Sequence, residues 1–422
     1  MPSPFCSALR RLALPLAVAA LVIAPPASAA TVTMAAAGDI ACAPAANVPT
    51  PTSCQQEATA QAVEGLNPAF VAALGDNQYE SGTLAEFQGS FDPTWGRFKS
   101  RIYPAAGNHE WKTPGAAGYF DYFGARAGER GKGWYSYQAG DWHVIVLDSQ
   151  CDAVGCGPGS EQDGWLRADL AAHRSESCTL AYFHHAPFTG GQTHNDPNNH
   201  AARSLFATLY AAHVDLLLVA HDHSYQRLAP LKPSGAEDPR LGLREIVVGT
   251  GGEDFHPFDA VAPHTVVRND NTFGVLQVTL RARDYAWQFH PVAGGTFTDS
   301  GSDGCHRAPA RLRASVRGGE LGPVLARGLR ATVRSDRAAR LKGVATVNAR
   351  TARRLGLGRR TAKVASGRAT PRPGRRTRAT LRFTRRARSA LQRAERVRVS
   401  VRLTASTPAG RTTNVTRRVT LR

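Results

Sequence analysis

The C-terminal quarter of the chain has few acidic residues and almost no aromatic ones. Residues 311–422 contain 32 lysines and arginines, three acids and one aromatic residue, Phe383, for a net charge of +29. Because the whole chain is +19, residues 1–310 carry about −10. Without aromatic platforms, this segment is unsuited to recognising nucleic-acid bases by stacking. Its charge predicts an acidic cell-wall polymer or another polyanion as partner, although the arginines could also simply cover the solvent face of a β domain.

Long apolar runs are missing except near the N-terminus. There, Leu12–Ala24 follows Arg10-Arg11 and precedes Ala27-Ser28-Ala29, a small-residue cleavage pattern. The run is shorter than the roughly 20 residues that a membrane-spanning helix needs. This favours a secretory signal peptide over residues 1–29 rather than a membrane anchor. The sequence therefore predicts an exported protein, secreted or held in the cell envelope, with no stable membrane span.

The chain has no cysteine pair with zinc-knuckle spacing, so a structural zinc site is not favoured. Six cysteines remain once Cys6 leaves with the signal peptide. An even number in an exported chain predicts disulfides, and six cysteines allow 15 connectivities. The pairing that proximity in sequence favours is Cys42–Cys54 and Cys151–Cys156, which would leave Cys178–Cys305.

Residues 30–308 alternate β-rich apolar runs with helical segments. Strands are predicted at Thr31–Ala37, Ala69–Leu74, Arg101–Ala105, Trp134–Ala139, Trp142–Leu147, Thr179–Phe183, Val214–Val219, Glu245–Val248, Phe273–Leu280 and Tyr285–Pro291. Helices are predicted at Gln55–Gly65, Ser160–His173 and Asn199–His213. This alternation is typical of layered α/β packing.

Residues 309–422 have a different pattern. Short runs alternate apolar residues with arginine or threonine between Pro/Gly turns, which predicts a small β-sandwich of immunoglobulin-like size with one short helix at Thr384–Ala394. The alternative is a basic tail that is partly disordered.

Five short polar segments each follow a strand-like run and carry oxygen or imidazole donors. They are Gly38-Asp39, Gly75-Asp76-Asn77-Gln78-Tyr79, Gly107-Asn108-His109-Glu110, His184-His185-Ala186-Pro187 and His221-Asp222-His223. Taken singly, Asp76 could belong to an Asx turn and Asp39 could cap a helix. Together the five predict a two-metal site, since such donors hold hard and borderline metals without thiolates.

Spacing suggests which histidines face this site. His221 and His223 are two residues apart, so on an extended chain both point to one face while Asp222 points away. His185 sits at a strand end before Ala186-Pro187 and is predicted to bind metal, whereas His184 is expected to point the other way.

This set of motifs resembles the calcineurin-like metallophosphoesterases, and specifically their purple-acid-phosphatase-like branch. Many family members have D-x-H at the first motif, where this chain has Asp39-Ile40-Ala41. In compensation, Tyr79 completes the Gly-Asp-x-x-Tyr pattern of the purple enzymes. The resemblance covers residues 31–306 and implies a four-layer αββα sandwich.

The resemblance also implies roles for individual residues. One metal would be held by Asp39, Asp76, Tyr79 and His223, and the other by Asp76, Asn108, His185 and His221. The Tyr79 phenolate favours Fe(III) at the first position, beside Zn, Mn or Fe(II) at the second. His109 and His194 resemble the histidines that contact the phosphate or protonate the leaving group, although Asn195 stands where many members have a second histidine.

The implied function is that of a secreted dinuclear-metal phosphatase, in which hydroxide held by the metals attacks a phosphate monoester. One alternative is a phosphodiesterase acting on nucleotides or lipids, because the same metals serve both reactions. Another is a non-catalytic surface protein that binds polyanions, which the complete set of ligands argues against. A metallo-β-lactamase-type site would need H-x-H-x-D-H, and the segment around His221 does not supply it.

Overall fold

The structure is a computed structural model that describes residues 31–422. The predicted signal peptide, residues 1–29, lies outside the described residues. Among the helices of residues 31–422, none is long and apolar enough to cross a membrane.

Residues 32–304 form two mixed β-sheets. The strands are β1 (Val32–Ala37), β2 (Phe70–Leu74), β3 (Ile102–Ala105), β4 (Tyr135–Ala139), β5 (Trp142–Val146), β6 (Cys178–Tyr182), β7 (Leu216–Val219), β8 (Tyr225–Leu228), β9 (Arg244–Val248), β10 (Thr265–Asn269), β11 (Gly274–Arg281), β12 (Asp284–Pro291) and β13 (Ser300–Gly304). One sheet has the order β13-β12-β11-β1-β2-β3 and the other β10-β8-β9-β7-β6-β5-β4. The central strands β1-β2-β3 and β5-β6-β7-β9 run parallel, and antiparallel strands flank them.

The two sheets pack face to face, with helices outside them. The longer helices of this part are α1 (Gln56–Leu66), α6 (Glu161–Ala172) and α7 (Pro197–Ala211); the shorter ones are α2 (Leu84–Glu86), α3 (Asn108–Trp111), α4 (Ala117–Phe123) and α5 (Cys151–Val154). Strand β6 shows how the layers divide: Leu180 and Tyr182 point into the core between the sheets, while Ala181 packs into the core beneath α6 and α7. This arrangement confirms the predicted αββα sandwich.

Irregular helical turns complete this part of the chain. Segments Pro44–Ala46, Trp95–Arg101, Pro114–Ala116 and Gly124–Ala127 are 3-10 helical, and Phe87–Phe91 forms a π-helical turn. The turns around Phe87 bring together stacked and edge-on rings of Phe87, Phe91, Tyr122 and Phe123. These rings extend the core between the sheets toward α4.

The three disulfides that proximity favoured are all present, which confirms them: Cys42–Cys54, Cys151–Cys156 and Cys178–Cys305. The last one ties β6 to the chain just after β13, and so holds the end of one sheet against the other.

Residues 312–421 form a third sheet of seven strands, all antiparallel to their neighbours. The strands are β14 (Leu312–Val316), β15 (Leu329–Ser335), β16 (Arg340–Val347), β17 (Ala362–Ala369), β18 (Arg376–Phe383), β19 (Val397–Ser406) and β20 (Thr412–Leu421), in the order β14-β15-β18-β17-β16-β19-β20. The helices are α8 (Leu321–Arg327), α9 (Ala349–Arg354) and α10 (Arg385–Leu391).

This third sheet curls round its own apolar core. Along β15 and β19 buried and exposed residues alternate, and the buried ones, such as Val333 and Val401, form a single cluster. The first and last strands of this order, β14 and β20, approach each other. Gly319, just after β14, forms a β-bridge with Leu421, and the Arg417 Nε atom donates to the Ala314 carbonyl. The prediction of a small β domain is confirmed, and the alternative of a disordered tail is wrong for these residues.

Candidate metal centre

The predicted motifs lie just past the ends of β1, β2, β3, β6 and β7, at one edge of the two facing sheets. The chain turns sharply there: Asp39, Asp76 and His221 have left-handed φ angles of 57°, 44° and 69°. At Gly107 a Cβ atom would lie 2.2 Å from the Asp76 Oδ1 atom. Glycine is therefore required for the third motif to approach the second so closely.

A first group of donors surrounds the hydroxyl of Tyr79. This oxygen lies 3.1 Å from the Asp39 Oδ1 atom, 3.3 Å from the Asp76 Oδ2 atom and 3.0 Å from the His223 Nε2 atom. All four side chains are buried. They are the four residues predicted to hold the first metal.

A second group of donors surrounds the Nε2 atom of His184. This nitrogen lies 3.2 Å from the Asp76 Oδ2 atom, 3.1 Å from the Asn108 Oδ1 atom and 3.2 Å from the His221 Nδ1 atom. The same Asp76 oxygen therefore faces both groups, as a carboxylate that bridges two cations must.

His185, the residue predicted to supply a donor here, lies beside the same group, and so does His184, which was expected to point the other way. The ring centroids of His185 and His184 lie 4.4 and 5.0 Å from that of His221. The His185 Nδ1 atom lies 2.9 Å from the Ser149 hydroxyl, and its buried Nε2 atom has no hydrogen-bond partner among the described residues. Ligand atoms of His185, Asp196 and His221 lie within 4.8 Å of one another, as do those of Asp76, His184 and His221. The chain bends at both histidines, so the alternation of β6 does not select one of them, and the assignment of His185 to the second metal stays a prediction.

Each of the three inward-facing histidines has its other ring nitrogen engaged by an acceptor. The partners are the Leu74 carbonyl for His184 at 3.0 Å, the Asp196 carboxylate for His221 at 3.3 Å and the Asp254 carboxylate for His223. An acceptor oxygen requires a proton on the nitrogen that faces it, so in the neutral ring the opposite nitrogen presents a lone pair. Carbonyls and carboxylates orient metal-binding histidines in this way.

The charges also fit a pair of cations. Asp39 and Asp76 are buried side by side, and buried carboxylates require opposite charge nearby. Burial, together with these two carboxylates, raises the pKa of Tyr79 well above its ordinary value. Burial lowers the pKa of His184, but Asp76 and Asp39 outweigh it and raise the pKa to about 9. A metal ion would take the place of that proton, because metal-binding histidine must be neutral.

Glu110 supports the site in a way that the sequence analysis did not assign. Its Oε1 atom accepts the backbone N–H groups of Asn77 and Gln78 at 2.8 and 3.2 Å, and its Oε2 atom accepts those of Gly107 and Asp76 at 2.7 and 3.0 Å. One buried side chain thus joins the second motif to the third. Its place at the third position of α3, where acidic residues bind free backbone N–H groups, was the available signal.

The two histidines predicted to handle the phosphate differ in position. His109 lies at the rim of the site, with its Nε2 atom 3.9 Å from the Asp76 Oδ2 atom, and its Nδ1 atom donates to the Glu80 carbonyl at 2.7 Å. His194 instead contacts the Gly191 carbonyl and Asp259, and among the described residues it touches none of the metal-binding candidates. The loop that contains His194 contacts the site through Asp196, whose carboxylate lies 3.3 Å from the His221 Nε2 atom.

Arg227, a residue near the histidine pair, has a structural role. It forms two hydrogen bonds with Asp299, at 2.7 and 3.0 Å, and lies over the ring of Trp287. Its guanidinium group is therefore engaged in packing.

Comparison with known proteins identifies a family for part of the chain. Residues 33–225 match the family model described as calcineurin-like phosphoesterase. The chain is 28% identical over 219 residues to purple acid phosphatase 18 of Arabidopsis thaliana, covering 46% of this chain and 49% of that protein. It is 29% identical over 230 residues to an uncharacterized protein of Mycobacterium tuberculosis, covering 45% and 43%. The chain thus spans about half the length of the curated relatives it matches.

A solved structure shares the fold. A purple acid phosphatase from yellow lupin (Lupinus luteus) seeds aligns with a TM-score of 0.51 at 18% identity, covering 66% of this chain and 54% of the lupin chain. This likeness supports the fold. The family model places residues 33–225 in the calcineurin-like phosphoesterase family, and purple acid phosphatases are among the relatives of the chain.

Proposed function

We propose that this protein is a metal-dependent phosphatase that hydrolyses phosphate monoesters. The observation that supports this best is the convergence of donors on two positions that share Asp76. Asp39, Asp76, Tyr79 and His223 would hold one metal ion, and Asp76, Asn108, His185 and His221 the other, with His184 beside them. Two metal ions, when bound, stabilise negative charge on the attacking and leaving oxygens of a phosphoryl transfer.

The protein's own side chains would contribute positioning and proton transfer. Glu110 holds the loop of Asp76 rigid, and Asp196 and Asp254 hold two histidines in the metal-binding orientation. His109 is the side chain at the rim that could donate a proton to a leaving oxygen. Its Nδ1–H bond to the Glu80 carbonyl directs the Nε2 atom toward the site.

We further propose that the first metal is Fe(III) and the second Zn, Mn or Fe(II). The buried Tyr79 hydroxyl beside two carboxylates favours a highly charged cation at the first position. Metal analysis and the visible spectrum of the purified protein test this. A coloured wild type with two metals per chain, whose band disappears in Tyr79→Phe, is expected. Colourless but active protein would refute the ferric assignment alone.

Hydrolysis assays test the phosphatase proposal and its main alternative. We expect release of p-nitrophenol from p-nitrophenyl phosphate and slower release from bis(p-nitrophenyl) phosphate. Faster hydrolysis of the bis ester would favour the phosphodiesterase. If protein loaded with metals hydrolyses neither ester, both the phosphatase and the phosphodiesterase hypotheses are refuted.

Export and the role of the basic domain are also proposals. Residues 1–29 have the pattern of a signal peptide, and a mature N-terminus near residue 30 in the medium or envelope of the source cell would support secretion. The net charge of +29 over residues 311–422 supports binding of the C-terminal domain to an acidic polymer. Retention of the protein on a polyanion column only when residues 309–422 are present would support that role.

A further inference from the structure

The basic charge of the C-terminal domain is not spread evenly. On the third sheet, one groove is bordered by charged residues of a single type, arginine. Eight arginines and no acidic residue border this groove, which lies over β14, β15 and β18 and is closed on one side by β20. We call it the arginine groove, and the residues that matter here are Arg313, Arg330, Arg334, Arg376, Arg378 and Arg417.

The strand register places three of these arginines in one row. Arg313 on β14 pairs with Arg334 on β15, and Arg334 pairs with Arg376 on β18. Neighbouring strands are about 4.8 Å apart, so three positive side chains stand on adjacent strands and point to the same exposed face. In the part of the chain that the structure describes, none of the three forms a salt bridge with a carboxylate.

This row opposes folding. Like charges placed directly across from each other destabilise a sheet, and here each of two strand pairs carries such a contact. In the next row along the strands the repulsion between like charges is weaker, because Ser315 and Thr332 stand beside Arg378. The Arg334 Nε atom donates to the Gly374 carbonyl at 2.8 Å, which leaves the charge of the row without a carboxylate partner among the described residues. A row of such arginines flanked by hydroxyl groups has the composition of a site for an anion that bridges strands.

From this arrangement we infer that the arginine groove binds a linear polyol-phosphate polymer through its phosphodiester groups. The inference rests on the proposal that the C-terminal domain binds acidic polymers, and it names the surface and the chemical class. Guanidinium groups form paired hydrogen bonds with phosphate oxygens. Each phosphodiester group has two terminal oxygens that can accept from arginines of neighbouring strands, and a linear polymer repeats such groups along the groove. The groove offers no aromatic ring on which nucleic-acid bases could stack.

Two triple variants of the full-length protein with equal charge change test this surface. The groove variant is Arg313→Gln, Arg334→Gln and Arg376→Gln. The control is Arg350→Gln, Arg353→Gln and Arg354→Gln on α9, where the side chains are also exposed but lie outside the groove. Binding to poly(glycerol phosphate) is measured by calorimetry over a range of salt concentrations, with single-stranded DNA and a polyuronate as comparison ligands.

For the groove variant we expect affinity for poly(glycerol phosphate) to fall at least tenfold at low salt. The slope of log K against log salt should decrease by about 2, since roughly 0.7 of a counterion is released per phosphate contact. The control should keep both values. The groove variant should also unfold at a higher temperature than wild type, because the like-charged row is gone, so lost binding cannot be ascribed to misfolding.

Three results would overturn the inference in different ways. Equal losses in the two triple variants would show that the groove is not the site, although the domain binds polymers. Equal affinity of wild type for the polyuronate, or tighter binding to DNA, would refute the polyol-phosphate class. No binding of wild type to any of the polymers would refute the proposed role of the whole domain.

Discussion

Replacing His184 or His185 by alanine tests two adjacent histidines whose rings both lie beside His221. The His184 Nε2 atom lies 3.1 to 3.2 Å from atoms of Asn108, Asp76 and His221. The His185 Nδ1 atom meets Ser149, and its buried Nε2 atom has no hydrogen-bond partner among the described residues. Both rings are fully buried, so each variant leaves a cavity of the same size and serves as the control for the other.

The two substitutions should weaken different properties of the protein. His185→Ala removes one of the four donors proposed for the second metal. Changing a residue that only orients a ligand weakens metal binding by roughly 10- to 100-fold, so loss of a ligand should cost at least about 100-fold, or about 2.7 kcal/mol. His184→Ala removes the hydrogen bond to the Leu74 carbonyl, worth about 1 kcal/mol of folding stability, and should weaken metal binding less.

Metal analysis after dialysis against a weak chelator measures the difference. We expect about one metal ion per chain in His185→Ala and two in His184→Ala and wild type. If the first metal is ferric, His185→Ala should keep the Tyr79 absorption band, since Tyr79 lies beside the other position. Two metals in His185→Ala, together with one in His184→Ala, would refute the assignment of His185 to the second metal.

Three further substitutions test other parts of the structure. Asp196→Ala should weaken the second metal roughly 10- to 100-fold by releasing His221, while Asp259→Ala, which frees only His194, should not; equal metal affinity in the two variants by titration would contradict this. Gly107→Ala should destabilise the fold by about 3 kcal/mol in urea unfolding, because its Cβ would lie 2.2 Å from the Asp76 Oδ1 atom; an unchanged midpoint would show that the loops adjust. Burial raises the pKa of Glu245 to about 8, so the folded state holds a proton that the unfolded state releases above about pH 4.5, and stability should fall as pH rises toward 8. Glu245→Gln should therefore be more stable than wild type by about 3 kcal/mol at pH 7 and by little at pH 4; the same gain at both pH values would refute the buried-proton argument.

The parts of the fold that could be predicted from sequence are those with a periodic signal. The buried parallel strands, such as Phe70–Leu74, and the amphipathic helices were predicted within two or three residues. Edge strands were missed because their sequences are not apolar: β13 is Ser300–Gly304, built of small and polar residues that pair with β12. In the third sheet the sequence signal of β17 is weak for a related reason, since buried and exposed residues do not alternate regularly along Ala362–Ala369.

The candidate site shows the same division between local pattern and tertiary contact. Residues directly after strands were identified because parallel strands deliver their ends to one edge of a sheet. The acceptors that orient the histidines were not identified from the sequence. Asp196 and Asp254 lie in loops whose paths depend on the packing of distant elements.

The choice between His184 and His185 shows where a strand pattern stops being informative. Strand β6 is paired on both sides, by β5 and β7, up to Tyr182, so the alternation of its side chains is fixed that far. At His184 and His185 the chain bends, so the alternation no longer applies, and both rings lie beside His221. Two adjacent residues that would face opposite ways on a strand can therefore approach one site. The buried His185 Nε2 atom, which has no hydrogen-bond partner among the described residues, is the atom that a metal would engage.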